Sequence, residues 1–110
     1  MGESSSSLMA EAMNRLWTKY LQQIQERVAT LQTACEHLAS NELTKIEQQQ
    51  AAAEAHKLAG ILGTFGLTSG TELAREAEAL LEGELDGDSN AASRLMAIAE
   101  QLRTLIADRN

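Results

Sequence analysis

Among the groups in this chain that could act as nucleophiles are two histidines, one cysteine and three lysines. An imidazole offers a lone pair near neutral pH, so it can attack an electrophile, take up a proton or bind a metal. His56 stands apart by its surroundings. Read as a helix at about 100° per residue, the run 51–66 places Leu58, Ile61, Leu62 and Phe65 at i, i+3, i+4 and i+7, with Ala51 and Ala55 extending the stripe backwards. That stripe is a core face. His56 points about 160° away from Leu58. Its neighbours at i−4, i−3, i+3, i+4 and i+7 are Ala52, Ala53, Ala59, Gly60 and Gly63, none with a side chain larger than a methyl group. Exposed helix positions ordinarily carry Glu, Lys, Gln or Arg, and each internal glycine costs roughly 0.5–1 kcal/mol against alanine. The reading is a flat outer patch, with Gln49 and Thr64 at its ends, that a bulky partner can approach closely.

The other candidates carry less. His37 lies about 140° off the apolar seam of its own helix, among Gln32, Glu36 and Leu38, where nothing clears an approach. Cys35 falls on that seam and reads as a buried, inert small hydrophobe. As a lone cysteine it forms no internal disulfide, which fits a reducing cytoplasm. Two distant histidines and one cysteine have no zinc-ligand spacing. Neither G-x-x-x-x-G-K-[ST] nor G-x-G-x-x-G occurs, so no means of holding ATP is evident. Lys57 can be read as a plain solvated cation, or as a charge that offsets a phosphate or guides an acidic partner. The acidic stretch 69–90, with seven Asp+Glu against one Arg, reads as a solvated rim.

His56-Lys57-Leu58-Ala59-Gly60, followed by Gly66 ten residues after the histidine, resembles the histidine-containing phosphotransfer (HPt) domain. The family's usual pattern is H-x-L-K-G, then small residues, a glycine and a further helix. The histidine, the leucine at +2 and the glycines at +4 and +10 match. The usual lysine at +3 is replaced by Ala59, and Lys57 at +1 is the nearest cation. The resemblance is strongest over 45–82. It implies a phosphorelay intermediate of two-component signalling, in which His56 takes a phosphoryl group from a receiver-domain phospho-aspartate and passes it to another receiver aspartate. Response-regulator receiver domains are then the expected partners, with a hybrid histidine kinase as a further one. No cofactor is expected on this chain, and Mg²⁺ is expected on the receiver. A kinase dimerisation domain usually has an acidic residue directly after its histidine; here that residue is Lys57, so no autokinase activity is expected. The rival reading is a non-catalytic helical adaptor or oligomerisation domain, for which His56 is immaterial.

The elements that must position His56 follow from the rest of the sequence. One hundred and ten residues without proline, with only three aromatics, make a single all-α domain. The net charge of −7 argues against nucleic acid. No apolar run or leader pattern points to a membrane or to secretion. Residues 1–7 read as a flexible polar lead-in, and 8–110 as one domain. Over 8–39 the seam Trp17, Tyr20, Ile24, Val28, Leu31, Cys35, Leu38 alternates spacings of three and four. So long a helix either overhangs its neighbours or breaks near 18–20, and the resemblance favours a short extra N-terminal helix. Ser40-Asn41 is expected to stop it and to cap a second helix over 42–64, with Gly66 as the left-handed residue that ends that one. Ser69 to Glu72 has capping-box spacing for a third helix running to Glu82, with Leu73, Ala77, Leu80 and Leu81 inward. After a loop over 83–88, Asp88 or Ser89 caps a fourth, with Leu95, Ile98, Leu102, Leu105 and Ile106 inward. The economical assembly is an antiparallel up-down-up-down four-helix bundle.

Overall fold

The computed structural model describes residues 2–85 and 88–109; it describes no side chains for 2–6 or 89. Four helices make up the bundle: α1 Gly2–Ala39, α2 Lys45–Thr64, α3 Thr68–Glu82 and α4 Ser89–Arg109. α1 packs on α2 and α4, α3 packs on the same two, and the diagonal pairs stay apart, which is the square arrangement of an up-down-up-down bundle. The core is formed where the expected stripes meet. Ile24, Leu31 and Cys35 of α1, Leu58 and Leu62 of α2, and Ile98 and Leu102 of α4 are fully buried, with Ala74, Ala77 and Leu81 of α3 closing the fourth side.

α1 is unbroken, so the expected short N-terminal helix is not there. With no glycine or proline between Leu8 and Ala39, nothing interrupts the hydrogen-bond ladder, and the helix projects past its shorter neighbours. The lead-in over 1–7 is helical from Gly2 onward; Met1 lies outside the described residues. Trp17 closes the bundle where the overhang begins. Its ring meets Phe65 edge-on at 5.2 Å, and the Arg109 guanidinium lies 5.1 Å from its centroid. Tyr20, expected on the seam, is instead 38% exposed, and Ala34 is buried in the core.

The turns show which caps the chain uses. α1 ends with Asn41 at φ 58°, where the N–H of Glu42 reaches the carbonyl of His37 and that of Asn41 reaches Leu38. α2 ends in the same way, with Gly66 at φ 73°, Leu67 N–H on Leu62 and Gly66 N–H on Gly63. Both are Schellman closures, and the glycine takes the left-handed position read for it. Ser40-Asn41 does not cap α2, however. Thr44 does, accepting from Glu47 N–H at 3.1 Å, while its own hydroxyl points back to the Glu47 carboxylate. Ser69 does not cap α3, which already begins at Thr68 straight out of the Gly66 turn. Asp88 caps α4 through Ala91 N–H at 2.9 Å; Asp86 and Gly87 of the expected loop lie outside the described residues.

Candidate functional site

His56 projects from the middle of α2, with its side chain 75% exposed. Leu58, Ala55 and Ala51 on the opposite side are fully buried. The two-faced reading of this helix therefore holds for the imidazole and for its core stripe.

Its flanks need correction. Ala52 and Ala59 were read as outward-facing, yet they are only 8% and 5% exposed. A helix in a square bundle has two neighbours, so its covered arc is wider than one stripe suggests. α3 lies along the Ala52–Ala59 side of α2. The small side chains there let the two backbones close up: the Thr71 hydroxyl donates to the Ala59 carbonyl at 3.0 Å. A Cβ on Gly63 would sit 3.3 Å from the same hydroxyl. Around Gly60, by contrast, a Cβ would meet nothing within 4 Å. The small residues thus divide by task. Ala52 and Ala59 serve helix packing, Gly63 is exposed but closed on one side by Thr71, and Gln49, Ala53, Gly60 and Thr64 stay open around the ring. Ala52 still forms the floor of a shallow depression walled by Gln49, Ala53, Lys57, Glu78 and Glu82, with His56 at its edge.

That close approach of α3 brings in a group the sequence reading missed. Oε2 of Glu78 lies 2.9 Å from Nδ1 of His56. An ionised carboxylate only accepts, so Nδ1 carries the proton and donates it, and the Nε2 lone pair is left bare. Among the described residues nothing hydrogen-bonds to Nε2. Glu78 is itself mostly shielded by its neighbours, its side chain 22% exposed. The stretch 69–90 is therefore more than a solvated rim, since one of its carboxylates orients the imidazole. A signal for it was present: once Gly66 turns the chain back, a residue some dozen places after the turn falls beside one ten places before it.

Lys57 leans the other way. Its ammonium is 4.0 Å from Glu54, whose carboxylate is held at 2.5 Å by Arg27 of α1. His37 is not the bystander its sequence surroundings suggest. Its Nδ1 pairs with Glu47, tying the end of α1 to the first turn of α2, and that hydrogen bond holds its pKa above the ordinary 6.5. It lies at the far end of α2 from the Gly66 turn and takes no part around His56. Burial pushes the Cys35 thiol up to about 11, which leaves it unreactive at neutral pH.

Four helices packed as an antiparallel bundle are the architecture of a histidine-containing phosphotransfer domain. The Hpt domain family model matches residues 15–108, and the chain belongs to that family. Hpt domains have a phosphotransfer role in two-component systems and work with receiver domains in phosphorelays. Over 71 residues, 64% of this chain, it is 41% identical to Protein RcaC of Microchaete diplosiphon, and the aligned stretch spans 11% of that protein. No solved structure matches it. No described helix is long and apolar enough to cross a membrane.

Proposed function

We propose that His56 is the phosphoryl acceptor and donor of this domain, exchanging the group with aspartates of receiver domains and not with ATP. The observation that carries this reading is the Glu78–His56 pair on an otherwise open ring. With the proton fixed on Nδ1, Nε2 attacks phosphorus in line. The P–O bond to the receiver's aspartate breaks, and the carboxylate leaves with the electron pair. The ring that results is a phospho-imidazolium, and Glu78 faces the positive charge it acquires. In the reverse step the N–P bond breaks, and the imidazole leaves as the same neutral tautomer. Glu78 therefore serves both directions, and the direction of net flow follows the relative phosphorylation of the two receivers.

Charge on the equatorial phosphoryl oxygens needs cations placed at Nε2, and the nearest lysine in sequence, Lys57, lies beside Glu54 at 4.0 Å with its side chain mostly in solvent. They are to come from the receiver, as its Mg²⁺ and lysine. A hybrid histidine kinase bearing such a receiver is a fitting donor. The absence of autokinase activity follows from Lys57 in the place where kinases put an acid.

The test is to mix the protein with receiver domains loaded from acetyl phosphate and look for an acid-labile, base-stable phosphoryl group. It should appear on the wild type and vanish in His56→Gln. Label acquired from ATP alone, or label persisting in His56→Gln, overturns the reading.

A further inference from the structure

When a receiver withdraws, it takes its Mg²⁺ and lysine with it, and the phosphoryl group on His56 is left to what this chain provides. The local balance is unfavourable. Glu78 and Glu82 wall the depression at whose edge the ring lies, and Lys57 is turned to the α1 side, beside Glu54. Three strongly accepting oxygens set down there meet carboxylates of their own sign. Between positions 69 and 90 the sequence has a single basic residue, Arg75, to which the transfer step gives no role.

Arg75 comes level with the histidine along the bundle. α2 and α3 run antiparallel on either side of the Gly66 turn, and two cross-links give their register. Glu78, twelve residues after Gly66, meets His56, ten before it. The Thr71 hydroxyl, five after, reaches the carbonyl of Ala59, seven before. Arg75 therefore faces the stretch between His56 and Ala59, within about 3 Å of His56 along the axis. Its bearing round α3 is fixed as well. Thr71 and Glu78 mark the line along which α3 meets α2, and Arg75 lies four residues from the one and three from the other, about 40–60° from that line. Gly70, Ala74, Ala77 and Leu81 are buried on the inner side and Arg75 is exposed, so it stands on the outer lip of the seam. His56 holds the matching place on α2: Ala52 and Ala59, buried against α3, lie four residues before it and three after, while its own side chain is in solvent. With helix axes about 8–10 Å apart, the two Cα atoms are about 6–8 Å apart.

The guanidinium is not already claimed. Of the carboxylates near it on α3, Glu76 is gripped by Arg94 of α4 and Glu78 faces His56. Among the described residues Arg75 itself makes no ion pair or side-chain hydrogen bond. Side chains lean towards the N-terminus of their helix, so Arg75 leans towards Gly60, where a Cβ would meet nothing within 4 Å and the way to Nε2 is open. We propose that Arg75 folds over Gly60 and holds the phosphoryl oxygens of phosphorylated His56 in its planar fork. This rests on the phosphotransfer reading and adds what stabilises the intermediate between one receiver and the next. Glu78 faces the positive charge of the ring, and Arg75 faces the negative charge of the phosphoryl group. In the unphosphorylated protein the arginine stands in solvent.

The experiment loads a receiver domain from the same genome with acetyl phosphate, removes the reagent, adds this protein and lets the phosphoryl group partition to equilibrium. Both partners are kept dilute enough to be free. That ratio compares free species only, so a residue that docks or steers the receiver alters the rates in both directions and leaves the ratio alone. Arg75→Ala should shift the ratio towards the receiver about fivefold, and Arg75→Lys, which keeps the charge and loses the fork, about twofold. The circular-dichroism melts should match the wild type, because the side chain is exposed and unpaired. Arg103→Ala removes the same charge from α4, the helix diagonal to α2, and should leave the ratio unchanged. A ratio unmoved by Arg75→Ala, or moved as far by Arg103→Ala, overturns the proposal while leaving the phosphotransfer reading intact. A wild type labelled by no receiver removes that reading, and the role of the arginine with it.

Discussion

Oε2 of Glu78 stands 2.9 Å from Nδ1 of His56, a contact between α3 and α2 across 22 residues of sequence. It fixes the tautomer before any partner arrives and leaves a single nitrogen free to react. Glu78→Gln retains an acceptor and loses the charge, whereas Glu78→Ala loses both. A hydrogen bond to a charged group contributes about 1.5–3 kcal/mol, so transfer to Glu78→Ala should fall about ten- to a hundredfold, with Glu78→Gln in between. Rapid-quench transfer assays check this, with circular-dichroism melts to confirm folding. Equal rates for all three proteins would strip Glu78 of its role.

The two halves of that pair were not equally legible in the sequence. His56 was found because helix periodicity is local: Leu58, Ile61, Leu62 and Phe65 settle which way the imidazole points. Glu78 was missed because its partner lies on another helix, and only the hairpin register through Gly66 brings them together. The same locality explains Ala52 and Ala59, where one apolar stripe was taken for the whole covered arc although α3 lies along a second side. Asp88 caps α4 as read, but the caps read at Ser40-Asn41 and Ser69 failed for a related reason. Asn41 and Gly66 close their helices in left-handed geometry, which decides where the next helix can begin, so Ser40 and Ser69 are not needed as caps. The long apolar seam of α1 was readable, but the resemblance favoured a break near 18–20; the missing Gly and Pro, which leave the helix unbroken, were the better guide.

Two glycines should respond to alanine with opposite signs. At Gly60 a Cβ meets nothing within 4 Å, so Gly60→Ala should stabilise the fold by about 0.5–1 kcal/mol through helix propensity. At Gly70 a Cβ would fall 2.9 Å from Cδ1 of Leu62 and 3.3 Å from Cδ2 of Leu105. Overpacking costs about 1–3 kcal/mol, so Gly70→Ala should destabilise despite the better propensity. Urea unfolding of both variants decides. Gly60→Gln adds a functional arm: it should stay folded and yet slow transfer, because its side chain rises beside His56. Transfer at the wild-type rate would refute the clearance argument.

The His37–Glu47 contact makes stability depend on pH in a definite direction. His37 has its pKa raised above 6.5, first by the hydrogen bond it donates to Glu47 and then by nearby carboxylates. A group whose folded pKa is raised contributes fully below its unfolded pKa and loses that contribution as pH rises through the folded one. Wild type should therefore be more stable than His37→Gln at about pH 6, with the gap closing towards about pH 9. Denaturant midpoints at the two values measure it. A gap that widens with pH would reverse the assignment. Phosphotransfer should be indifferent to this substitution, because His37 stands near the opposite end of α2 from the Gly66 turn.

Lys57 offers a separate test of how the partner is brought in. Its ammonium sits 4.0 Å from Glu54, more than half exposed, and the Arg27 guanidinium already occupies that carboxylate. So shared an ion pair holds the lysine weakly, and exposed pairs of this kind contribute about 0–1 kcal/mol. Its charge is then available to an approaching receiver, whose aspartate pocket is acidic. Charges at the edge of an interface act mainly on the association rate and are screened within about 10 Å at 0.1 M salt. Lys57→Ala should accordingly slow transfer severalfold at low ionic strength and lose that effect as salt rises. Its saturated rate should match the wild type at every salt concentration, because the lysine steers and Nε2 of His56 reacts. A deficit that persists at high salt and at saturation would instead place Lys57 on the phosphoryl oxygens.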